Sequence, residues 1–129
     1  MERLFLKYSD AQKAVQTFKE ILREPFSIIV RDATIQRFEY TFEALWKFLK
    51  EYLKLKEGVV ANAPKSVFRE IFTLGLLSEK ETEQFLEMTD QRNETSHTYK
   101  EAVAQAIYQK IRNYDALMEK LLEKFKERL

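Results

Sequence analysis

The stretch Arg92-Asn93-Glu94-Thr95-Ser96-His97-Thr98-Tyr99 holds the only histidine of the chain. Histidine moves a proton near neutral pH. Arginine offers a planar fork of donors that suits a phosphate. If one helix runs through the stretch, Asn93 and His97 are four apart and share a face. Arg92 then lies about 100° to one side, and its long side chain can converge on His97. Such a pair suits RNA cleavage by attack of the neighbouring 2′-hydroxyl on phosphorus. A base takes the hydroxyl proton, an acid protonates the leaving oxygen, and a cation steadies the added charge. That chemistry takes two proton-transfer groups, and the chain has one histidine. A symmetric dimer would bring two copies of Arg92 and His97 to one cleft. A plainer alternative stays open: His97 caps a helix end, Arg92 pairs with Glu94 or Asp90, and Tyr99 packs at a helix start.

Other chemistries find little support. The chain has no cysteine and one histidine, so the usual zinc set is not available from a single chain. No Glu-x-x-His pair points to a bundle metal site. Two isolated glycines do not build a phosphate-cradling loop. No strand-turn-helix motif presents a nucleophilic serine. No metal and no cofactor are therefore expected. The net charge of +1 argues against a general affinity for nucleic acid and leaves room for a local basic patch.

The elements that position this stretch follow from composition and periodicity. The 129 residues include two glycines and two prolines, with 45% hydrophobic and 33% charged residues. That composition predicts few turns and long amphipathic helices in one domain over residues 1–129. Leu4, Tyr8, Ala11, Val15, Phe18 and Leu22 form one helical stripe, which Pro25 should end near Glu24. Phe26–Val30 reads as a short apolar link. Ile35, Phe38, Phe42, Leu45, Leu49 and Tyr52 form a second stripe, with Asp32 as the expected N-cap and Lys54–Lys56 and Gly58 at its end. Pro64 opens a shorter third helix that buries Val67, Phe68, Ile71, Phe72 and Leu74, with Gly75 just past its end. Ser78 and Glu81 form a capping box for a fourth helix carrying Phe85, Leu86 and Met88. Thr98 and Glu101 form a second capping box, opening a last helix from Val103 to Phe125. His97 thus lies at a helix boundary. The predicted fold is an all-α, up-and-down bundle of four main helices plus a short one.

Arg92-Asn93-x-x-x-His97-x-Tyr99 resembles the motif of HEPN domains, small helical bundles found in RNases and in toxins paired with minimal nucleotidyltransferases. Residues 36–47, QRFEYTFEALWK, and 63–77, APKSVFREIFTLGLL, are similar to signature segments of the nucleotidyltransferase substrate-binding protein family. The resemblance covers nearly the whole chain in the same order. It implies a homodimer encoded beside a minimal nucleotidyltransferase and associated with it. In related toxin–antitoxin pairs the HEPN protein is a metal-independent ribonuclease. Its Arg and His match Arg92 and His97, and its polar residue after the Arg matches Asn93. Its partner silences it by transferring AMP to the motif tyrosine, which matches Tyr99. The older family name implies a different role, a non-catalytic subunit that binds substrate for the transferase. A helical adaptor with no ligand is a third alternative.

The strip Glu39, Glu43 and Lys47 allows an intrahelical pair, and Arg37 and Glu39 could face the dimer cleft. Met1–Leu6 carries Glu2 and Arg3 with no long apolar core after it, so no signal peptide is expected. No run reaches the roughly 18–20 apolar residues of a membrane span. A cytoplasmic location is expected.

Overall fold

The structure is a computed structural model and describes residues 2–129. Those residues form six α-helices and no strand. They are α1 (Glu2–Leu22), α2 (Ile28–Tyr52), α3 (Pro64–Thr73), α4 (Glu79–Glu94), α5 (Glu101–Ile111) and α6 (Tyr114–Glu123). The all-α bundle is as expected, but the last predicted helix is divided into α5 and α6 at Arg112–Asn113. Asn113 leaves helical geometry, with φ −108° and ψ 2°. Asparagine is prone to this because its side chain competes for nearby backbone groups.

Helix boundaries follow local chemistry with two exceptions. Pro64 is the first residue of α3. Gly75, with φ 80°, closes it in a left-handed turn that a β-carbon would strain. The α4 box forms in both directions: Glu81 N donates to Ser78 Oγ (3.0 Å) and Ser78 N to Glu81 Oε1 (2.9 Å). A π-helical turn, Leu53–Glu57, follows α2, and Gly58 at φ 68° ends it.

The first exception is Asp32. It does not cap α2, which begins earlier. Ser27 is the cap, its Oγ accepting from Val30 N at 3.0 Å. Ile28–Val30 therefore belong to the helix, and Asp32 pairs with Arg31 Nε at 3.1 Å. The second is the Thr98 box, which does not form. Lys100 precedes α5 without a side-chain cap. Thr98 Oγ1 donates back to Thr95 O (3.2 Å), and Glu101 is drawn to Arg31. Phe72, expected inside, is exposed.

One apolar core draws on all six helices. α2 is its axis, touching α1, α3, α4 and α5, while α6 returns against α1. A run of rings joins α2 to α3 and α4. Phe38 and Phe42 lie 6.2 Å apart, Phe42 and Phe68 5.9 Å, and Phe68 stacks on Phe85 at 4.8 Å. Aromatic pairs of this kind contribute about 0.5–1.5 kcal/mol each beyond their buried area. Phe85 thus fixes the face of α4 that turns to the core, through Phe68 of α3. Thr89 and Arg92, four and three residues on, continue that face.

The start of α4 is also tied to α6, since Glu81 pairs with Lys120 at 3.1 Å. The Ser78 backbone amide, aided by Lys120, holds the Glu81 carboxyl down at about 2 from an ordinary 4.5. A depressed acid stabilises the fold above its unfolded pKa, and that contribution fades as pH falls through the folded one. Glu81→Gln should lose about 2 kcal/mol at neutral pH, allowing for solvent screening. The variant and wild type should converge between pH 4.5 and about 2. Urea unfolding at a series of pH values checks this; a constant difference down to the lower limit contradicts it.

Candidate functional site

The continuation of the Phe85 face decides where Arg92 goes. Its guanidinium turns to α2 and meets two carboxylates one helical turn apart. Nη1 lies 3.4 Å from Glu39 Oε2 and Nε 3.2 Å from Glu43 Oε1. The Nε contact is a charge contact, not aligned as a hydrogen bond. Nη1 also donates to Thr95 Oγ1 at 3.1 Å. Glu43 is itself held by Trp46 Nε1 (2.8 Å) and by the expected intrahelical pair with Lys47 (3.8 Å).

The partners proposed for Arg92 from sequence, Glu94 and Asp90, are not those it takes. Glu94 is exposed, and Asp90 pairs with Lys65 of α3 at 2.7 Å. Arg37 also has another role: its Nη1 donates to Thr17 O at 2.7 Å, joining α2 to α1.

α4 stops at Glu94, and Thr95–His97 form a 3-10 turn. The motif therefore does not lie on one continuous helix. Asn93 occupies the last turn of α4, exposed, and its carbonyl accepts from Ser96 Oγ at 3.1 Å. His97 is exposed at the end of the 3-10 turn, and its carbonyl accepts from Lys100 N. Tyr99 is 77% exposed and packs in no core. Its ring centroid lies 6.3 Å from that of His97, edge to face. Lys100 Nζ lies 5.8 Å from the same Tyr99 ring.

The far side of the turn is anchored by Arg31, which is 3% exposed. Both its Nη nitrogens bond the two carboxylate oxygens of Glu101, the first residue of α5. Such a fork holds position and direction together. The same hydrogen bonding keeps the Glu101 carboxyl below its usual range and raises the Arg31 guanidinium. Residues 95–100 thus run between two ion pairs with α2, Arg92 with Glu39 and Glu43 on one side and Glu101 with Arg31 on the other, with His97 and Tyr99 facing water.

This arrangement brings Arg92, His97 and Tyr99 to one corner. It allows an anion to approach, a proton to move at the imidazole, and a phenol oxygen to be reached by another enzyme. Sequence reading did not find Thr95, Glu101 or Arg31 as parts of the corner. The available signal was the spacing Phe85-Thr89-Arg92 set against Phe38-Phe42 and Glu39-Glu43. Among the described residues no group of three or more acidic or histidine side chains is arranged to hold a metal ion.

An all-α bundle that presents this motif at the junction of two helices is a HEPN-type domain. Residues 6–127 match the family described as nucleotidyltransferase substrate binding protein like, and the chain belongs to it. It is 30% identical to a Haemophilus influenzae protein described as probable ribonuclease HepT, over 94% of this chain and 87% of that one. A crystal structure of a Thermus thermophilus protein superposes with a TM-score of 0.85 at 46% identity, covering 90% and 98% of the two chains. A second structure, from Haemophilus influenzae, is described as revealing the fold of a substrate binding domain of a nucleotidyltransferase. It gives a TM-score of 0.63 at 24% identity, with 97% and 98% covered, and shares the fold.

Proposed function

We propose that this chain is the HEPN subunit of a pair with a minimal nucleotidyltransferase, and that it is a cytoplasmic, metal-independent endoribonuclease acting as a homodimer. The observation that carries the reading is the corner itself, with His97 and Tyr99 exposed beside a half-buried Arg92. In this mechanism a 2′-hydroxyl attacks the adjacent phosphorus and the 5′-oxygen leaves, giving a 2′,3′-cyclic phosphate. Arg92 steadies the charge on the phosphoryl oxygens. His97 acts as base or acid, its counterpart across the dimer supplies the second proton-transfer group, and Asn93 supports the bound phosphate.

Silencing uses the neighbouring tyrosine. The Tyr99 oxygen displaces pyrophosphate from ATP on the partner transferase and loses its proton, leaving an AMP phosphodiester. That group sets bulk and negative charge two residues from His97 and competes for Arg92.

A second reading, a binding subunit that presents substrate to the transferase, is favoured by the two carboxylates on Arg92, which weaken it as a phosphate site. Mixing with the cognate transferase separates the two. The RNase reading predicts a dimer by sedimentation whose RNA products end in 2′,3′-cyclic phosphate, and whose cleavage stops after incubation with transferase and ATP. Transferase activity altered on mixing, with no RNA cleaved by the free dimer, supports the binding subunit. A stable monomer that cleaves RNA contradicts the shared cleft.

A further inference from the structure

Thr95 is the one buried residue of the 3-10 turn; Ser96 and His97 are both exposed. The hold of the core on His97 from the α4 side therefore passes through Thr95. Its Oγ1 lies 2.9 Å from Glu39 Oε2, 2.7 Å from Arg92 O and 3.1 Å from Arg92 Nη1. A hydroxyl has one proton and two lone pairs. It accepts from Arg92 Nη1 and gives its proton to one of the two oxygens, of which the charged carboxylate is the stronger acceptor. The 3.4 Å contact of Arg92 with Glu39 closes the ring. Three side chains from α4, the turn and α2 thus form one cycle at the point where the helix ends.

The cycle has a consequence for Arg92. Its Nε and Nη1 face α2, while Nη2 donates no hydrogen bond among the described residues. The guanidinium is held through Nε and Nη1, which leaves the Nη2 donors without a hydrogen-bond partner among the described residues.

We propose that Thr95 and Glu39 are positioning residues of the corner, fixing the His97 turn and the Arg92 fork relative to each other; for catalysis this rests on the ribonuclease reading above. The hydroxyl is the essential group, so Thr95→Ser retains the cycle and Thr95→Val opens it. Glu39→Gln leaves a neutral acceptor and opens the charged link alone.

Because His97 is the only histidine, a tag-free sample reports its ring in a carbon–proton correlation spectrum without assignment by mutation. Thr95→Val should shift and broaden the imidazole signals, and Thr95→Ser should leave them near wild type. Cleavage by Thr95→Val and Glu39→Gln should fall about 10- to 100-fold in kcat, the cost of a small misplacement, with a smaller change in KM. Thr95→Ser should stay within about threefold. Circular dichroism and Tm establish that each variant folds, and Glu39→Gln, at a partly exposed side chain, serves where Thr95→Val does not. Wild-type imidazole signals in both Thr95→Val and Glu39→Gln overturn the proposal. So does equal loss of kcat in Thr95→Ser and Thr95→Val. If wild type cleaves no RNA, the ribonuclease reading fails, and the imidazole spectra still decide the clamp.

Discussion

Arg92→Ala should cut RNA cleavage by about 10²–10³-fold, the range for removing one donor that stabilises developing charge. The loss has two sources. The phosphate loses its cation, and Glu39 and Glu43 lose the charge that separates them from the incoming phosphate. Both push the same way, since Glu39 without its cation repels RNA, and Glu43 keeps only the distant pair with Lys47 at 3.8 Å. Stability should change far less, by about 1 kcal/mol, because the Arg92 side chain is 27% exposed and its ion pairs are partly screened. Arg92→Lys restores a point charge but not the fork that meets Glu39, Glu43 and Thr95 at once. It should recover less than tenfold of the loss. Steady-state cleavage of an end-labelled RNA checks both variants at equal folded concentration. Wild-type kcat/KM in Arg92→Ala would remove Arg92 from the mechanism.

Tyr99→Phe should abolish AMP acceptance while leaving fold and cleavage intact. The substitution removes one oxygen from a ring that is 77% exposed. A surface change of this kind costs at most about 0.5 kcal/mol. Cleavage should stay within about threefold of wild type, because the phenol has no part in moving the RNA protons. The nucleotidyltransferase, given ATP labelled on the α-phosphate, should label wild type and not the variant. In wild type the added phosphodiester would lie near Lys100, whose ammonium is already 5.8 Å from the Tyr99 ring. Label that enters Tyr99→Phe at the wild-type rate places the acceptor elsewhere.

Much of the fold was legible because its signals are local. Pro64, Gly75 and the Ser78-Glu81 box act within a few residues of themselves, and each element they mark begins or ends where sequence predicts. The stripes of α1 and α2 point inward as their periodicity requires. The failures involve competition between a local signal and another partner. Ser27 outranks Asp32 because Pro25 has already ended helical geometry and Ser27 is the first cap after it, ahead of an apolar run without clear period. Glu101 has a capping role open to it within three residues, yet a buried arginine 70 residues away binds it more firmly. The split at Asn113 carries no proline or glycine to announce it.

The site divides in the same way. Arg92, Asn93 and His97 could be singled out from type and spacing and Tyr99 only from the family resemblance, and all four lie in the last turn of α4 and the segment just after it. What holds Arg92 could not be named, because Glu39 and Glu43 lie about fifty residues upstream. The near-repeat of three and four residues on both helices is the only trace of their meeting. That trace becomes readable once Phe42, Phe68 and Phe85 fix how α2 and α4 face each other.

In the proposed mechanism the corner at residues 92–99 cleaves RNA without a metal. Its most direct test is cleavage of a broad RNA mixture in excess EDTA, comparing wild type with His97→Ala at equal folded concentration. EDTA should not diminish cleavage by wild type, and His97→Ala should lose about 10²–10⁴-fold. Cleavage that persists in His97→Ala, or that EDTA abolishes in wild type, contradicts that mechanism.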